Sequence, residues 1–86
     1  MTAERLQHHR DKLSQLKDES TTLMKTADKD NLPNEAGELM GSWASAVEEM
    51  GKDFDEKTLK SLLENDNDFV QAMEVSEDLY EFVYGH

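Results

Sequence analysis

The side chains to weigh first for metal binding or proton transfer are three histidines and a dense set of carboxylates. His8 and His9 are adjacent, so on a helix they point roughly 100° apart and cannot converge on one ion. His86 is remote from both in sequence. Glu64, Asp66 and Asp68 alternate like the opening ligands of a calcium loop. The sixth place is Phe69 instead of glycine, however, and the twelfth is Val75 instead of glutamate. The run Asn65-Asp66-Asn67-Asp68 reads better as a turn and helix-cap cluster. Cysteine is absent, which removes thiolate ligands, disulfides and a cysteine nucleophile. There is no G-x-S-x-G, and Gly37, Gly41, Gly51 and Gly85 are too scattered to cradle a phosphate. Carboxylates on a solvated face also lack anything to drive their pKa values apart. The sequence therefore predicts no catalytic residue, no metal ligand and no cofactor. It reads as a protein that is not an enzyme.

What remains is electrostatics, and the charge is uneven. Residues 1–30 balance six Lys/Arg against six Asp/Glu. The formal charge of −11 comes entirely from residues 31–86, where three lysines face fourteen acids. Beyond Lys60 there is no cation, only Glu64, Asp66, Asp68, Glu74, Glu77, Asp78 and Glu81. A field of that sign repels nucleic acid and anionic lipid and speeds encounter with basic proteins.

Eighty-six residues make one small domain, which buries about 60–65% of the surface its unfolded chain exposes. With 36% hydrophobic and 34% charged residues and no disulfide, packing or a partner must hold it. No run of ten apolar residues occurs, so neither a membrane span nor a secretory leader is expected. The expected location is the cytoplasm.

The elements read as helices. Leu6, His9, Leu13, Leu16, Ser20, Leu23 and Ala27 step by three and four, a heptad seam on one helix from Thr2 to about Ala27. Ser20-Thr21-Thr22 is a weak stretch where a bend is expected. Asp28 to Asn34 is a polar break holding Pro33, with Asn31 or Asn34 as the next cap. A second helix, about Pro33 to Met50, carries Ala36, Met40, Trp43, Val47 and Met50, and Gly51 is expected to end it. Gly37 and Gly41 beside that stripe would let a neighbouring helix come close. Asp53 and Glu56 form the expected capping box of a third helix bearing Leu59, Leu62 and Leu63. The last segment, Phe69 to Tyr84, is divisible at Ser76, and a strand over Leu79 to Tyr84 would have nothing to pair with. The expected fold is all-α, a bundle of four to five helices in a single domain over 1–86. Its long helix, about 2–27, packs on an acidic helical half, about 33–84.

With Leu6 at position a, Arg5 and Lys12 fall at g, and Arg10 and Lys17 at e. None of these four has an acid three or four residues away on its own helix. Self-pairing would set like charges together in parallel and antiparallel register alike, which disfavours a homodimer through this seam. The sequence leaves the oligomeric state otherwise open. Arg5, Arg10, Lys12 and Lys17 are therefore expected to form a helix-pairing edge, meeting acids of the same chain or of a separate partner.

The expected partner-binding face lies in the acidic half, at Glu74, Glu77, Asp78, Tyr80, Glu81 and Tyr84, with Glu48 and Glu49 on the second helix. Aromatic anchors ringed by charge are what binding hot spots tend to contain. In composition the chain resembles small acidic helical inhibitors that mimic DNA and, in its acid-and-tyrosine tail, the immunity proteins of bacterial nuclease toxins. Those resemblances imply an inhibitor or regulator that occupies a basic protein surface, such as that of a nucleic-acid-binding protein or nuclease. Direct binding of nucleic acid or of a membrane is not expected. The alternative is a helical adaptor, chaperone or assembly subunit docking through its N-terminal helix.

Overall fold

The three-four spacing of the first segment folds as one unbroken helix, α1 (Ala3–Thr26), in a computed structural model that describes residues 3–28 and 30–85. It is followed by α2 (Asn34–Asp53), the short α3 (Glu56–Asn65) and α4 (Asn67–Tyr84). The fold is all-α. Thr2 and His86 lie outside the described residues.

Cross-helix contacts fix the topology. Arg5 and His9 meet Asp53 while Ser20 meets Trp43, so α2 runs antiparallel to α1. Arg10 meets Asp66 and Asp68 while Lys17 meets Gln71, so α4 runs parallel to α1. α1 lies along the trough between α2 and α4. α3 packs on α4 and α2 and, among the described residues, not on α1. It therefore caps the opposite side of the α2–α4 pair. The result is a rod of 42 × 20 × 18 Å. Its core is Leu13, Leu16, Leu39, Trp43, Ala46, Met50, Phe54, Phe69, Ala72 and Leu79.

Several local expectations are corrected. No break occurs at Ser20-Thr21-Thr22: α1 runs through it, and Thr21 donates to the Lys17 carbonyl at 2.8 Å within the helix. Ser20 is fully buried and accepts from Trp43 Nε1 at 2.9 Å. Neither Asn31 nor Asn34 caps α2. Pro33 occupies that place without a side-chain bond, its missing N–H costing nothing at a helix entry. Gly51 does not stop α2, which runs on to Asp53 and closes when Phe54 N–H bonds the Met50 carbonyl. Consequently Asp55, not Asp53, caps α3, accepting from Thr58 N–H at 2.7 Å. Ser76 does not divide α4, and Leu79 to Tyr84 is helical.

The stripe of α2 is also rotated. Ala36, Leu39, Trp43, Ala46 and Met50 are buried, whereas Met40 is half-buried and Val47 is 42% exposed. Packing on α1 pulls the Leu39–Ala46 edge inward. A cross-helix bond sets this register, and it carries a test. Ser20→Ala leaves the buried Trp43 Nε1–H unpaired and is expected to cost about 1–3 kcal/mol by urea unfolding. Ser20→Ala with Trp43→Phe should recover part of that loss.

Candidate partner-binding face

Two acids at helix ends anchor α1. Asp53, the last residue of α2, accepts from Arg5 Nε at 3.0 Å and Nη2 at 2.5 Å, and from His9 Nε2 at 2.6 Å. His9 is 2% exposed and packs on Phe54, so a histidine in the heptad seam serves as a buried donor. Asp66 caps α4 through Asp68 N–H and receives the Arg10 guanidinium at 2.5 and 2.8 Å. Arg10 also reaches Asp68 at 2.9 Å and lies 5.4 Å from the centre of the Phe69 ring. The calcium-like triplet is thus divided: Asp66 and Asp68 hold an arginine, and Glu64 is exposed on α3.

The other two edge cations differ. Lys17 reaches the amide of Gln71 at 3.5 Å, and Lys12 is exposed with no ion pair among the described residues. Reversal at Arg10 should therefore matter far more than at Lys17. Arg10→Glu sets three carboxylates together in a partly buried site and is expected to cost about 2–4 kcal/mol, between exposed and buried pairs. Lys17→Glu should fall within about 0.5 kcal/mol of the parent. Unfolding midpoints in urea at low and high salt check both, and salt should narrow the Arg10 deficit.

The same contacts set a pH dependence. Hydrogen bonds from Arg5, then His9, hold Asp53 below the usual carboxylate range, and the Arg10 bond does the same for Asp66. Asp66 in turn raises Arg10. A carboxylate depressed by folding stabilises fully above its unfolded value, about 4, and loses that contribution as pH falls through the folded value. Stability should hold from neutrality to about pH 5 and then fall below pH 4. Asp53→Asn with Asp66→Asn should flatten that acid limb.

With these contacts made, α4 turns a face outward that carries no cation. Glu74, Glu77, Asp78 and Glu81 are all exposed and, at 100° per residue, share an arc of roughly 100°. Tyr80 and Tyr84 border that arc, 59% and 63% exposed, with ring centres 5.0 Å apart. Phe82 is turned inward and buried. Glu48 and Glu49 are exposed on α2, where Glu48 sits 3.6 Å from Lys52 and Glu49 faces α1, 3.8 Å from His8. The contact with His8 places Glu49 on the α1 side of α2, away from the α4 arc.

One grouping was not legible in the sequence. An open cleft of about 540 Å³ between α1 and α2 brings Asp18 and Glu19 beside Glu35 and Glu38, over Leu23 and Leu39. The antiparallel α1–α2 hairpin assembles it, and the polar break from Asp28 to Asn34 was its only signal. Among the described residues no three His, Asp or Glu side chains converge as a metal site would require. No helix among them is long and apolar enough to cross a membrane. No protein-family model matches the chain, and no curated protein or solved structure matches it significantly either.

Proposed function

We propose that this is a non-enzymatic binding protein that regulates or inhibits a partner by occupying a basic surface on it, one that otherwise holds nucleic acid. The observation that carries this reading is the outward arc of α4. Four carboxylates on a rigid helix adjoin two exposed, mutually packed tyrosines, with no cation on the arc. Charge of one sign steers and selects a basic partner, and aromatic anchors slow its release. Two cations of α1, Arg5 and Arg10, are engaged with Asp53, Asp66 and Asp68 and not with this arc. The adaptor reading has less to draw on. His9, Leu13, Leu16 and Ser20, the seam it would use, are buried within the fold.

Affinity capture from a lysate of the source cell, loaded at low salt and eluted by a salt gradient, tests the reading. The expected result is a basic protein released at moderate salt whose nucleic-acid binding is blocked by this protein. A captured partner that survives high salt and keeps its nucleic-acid binding would contradict it.

A further inference from the structure

The side of the molecule opposite α1 is only half covered. α2 turns Glu49 and Asp53 toward α1, so at 100° per residue its other flank carries Gly37, Met40, Ala44, Val47 and Gly51 toward α4. α4 turns Asp68 and Gln71 toward α1, and its other flank carries Phe69, Met73, Ser76, Tyr80 and Tyr84 toward α2. α3 lies over this seam at one end, placing Leu59, Leu62 and Leu63 against the core. Past the end of α3 the seam continues uncovered. Val47, Tyr80 and Tyr84, the large apolar side chains most exposed in the described chain, all fall on these two flanks.

The floor of the uncovered part is unusually low. A Cβ added at Gly37 would meet nothing within 4 Å, so no helix of this chain uses the close approach it offers. Ala44 continues the same low edge and is exposed. From residue 37 to 47 the edge runs about 15 Å, three turns of helix. Acids rim it on both sides, Glu48 on α2 and Glu77 and Glu81 on α4, all exposed.

The geometry points to this strip as the docking groove for a cationic amphipathic helix of the partner, laid beside α3 over residues 37–47 of α2 and 76–84 of α4. This inference rests on the proposed function and names the form of the partner's contact. Three observations select the occupant. α3 already covers the same seam, so a second helix extends an existing interface. The tyrosine faces and apolar floor take leucine-like side chains and the alkyl stems of Lys or Arg, and the carboxylate rim takes their charged ends. A second copy of this chain, at −11, would bring acid against acid.

The probe is a synthetic 18-residue Leu/Lys peptide with one apolar helical face, beside a scrambled peptide of identical composition without such a face. Each is titrated into the 15N-labelled full chain at moderate salt. The amphipathic peptide should bind at least tenfold more tightly, with shifts centred on Gly37, Ala44, Val47, Tyr80 and Tyr84. Ala44→Arg, exposed on the floor, should weaken it tenfold or more, whereas Ser45→Arg, the same charge change on the next side of α2, should weaken it less than threefold. Equal binding of both peptides, with shifts confined to Glu74, Glu77, Asp78 and Glu81, would overturn the groove and leave the acidic-face reading standing. Shifts in the Asp18–Glu35 cleft, or no binding of either peptide, would overturn both. Concentration-dependent shifts of the strip without peptide would assign it to a second copy and overturn the partner helix.

Discussion

Phe69→Ala is expected to lower the unfolding free energy by about 3–5 kcal/mol, the usual loss for a fully buried phenylalanine. Phe69 is 0% exposed. Its ring stands 6.5 Å from that of Phe54 in an edge-on arrangement, with the Arg10 guanidinium on its face. Truncation would therefore empty the junction where α1, α4 and the α2–α3 turn meet. A domain of this size has roughly 4–13 kcal/mol in total, so the loss is a large share. The variant should show a much lower urea midpoint with an unchanged slope, and Phe69→Leu should retain most of the parental stability. Phe82→Ala, in the last turns of α4 and less completely buried, should cost less. A Phe69→Ala protein as stable as the parent would mean that this junction does not hold the fold.

Partner binding should separate into a charge part and an aromatic part. Glu77→Gln, Asp78→Asn and Glu81→Gln together should slow association about tenfold or more at low salt and flatten its salt dependence, with little change in dissociation. Tyr80→Ala or Tyr84→Ala should leave association nearly intact and hasten dissociation, by about 1–3 kcal/mol each. These positions are exposed, so the variants should keep parental unfolding midpoints. Because the two rings lie 5.0 Å apart, the double variant should lose less than the sum of the singles. Rapid-mixing or surface-binding kinetics across a salt series would resolve both effects. Equal losses from Leu13→Ala and Lys17→Glu in folded protein would instead point to α1.

Periodicity made the helices legible, since a three-four rhythm of apolar residues has few competing readings over twenty residues. Helix ends were less so. Asp53 and Asp55 both precede α3 at cap-like spacing, and the choice fell to Asp55 because Asp53 is claimed by Arg5 and His9, more than forty residues earlier. No local rule contains that contact. The rotation of the α2 stripe from Met40 and Val47 to Leu39 and Ala46 has the same cause: spacing gives the width of an apolar face, and only the neighbouring helix picks its edge. His9 and Ser20, the polar members of the seam, are buried partners of Asp53 and Trp43. Placing the four edge cations at e and g raised the question of where their acids lie, but not that, among the described residues, Arg10 would find two and Lys12 none. On α4, alternation of inward Phe82 with outward Tyr80 and Tyr84 was readable from helical spacing once the segment was taken as one helix. The α1–α2 acidic cleft depended on the hairpin register, of which the polar break between the two helices was the only trace.

The central claim is that α4 presents its acids and tyrosines to a basic partner. Hydroxyl-radical footprinting of the free protein and of the captured complex tests it directly, because Tyr80 and Tyr84 are exposed, reactive side chains bordering the acidic arc. Both should label readily in the free protein and be strongly protected in the complex, with labelling of α1 unchanged. Equal labelling of Tyr80 and Tyr84 in the two states, with protection on α1 or in the α1–α2 cleft, would contradict the account.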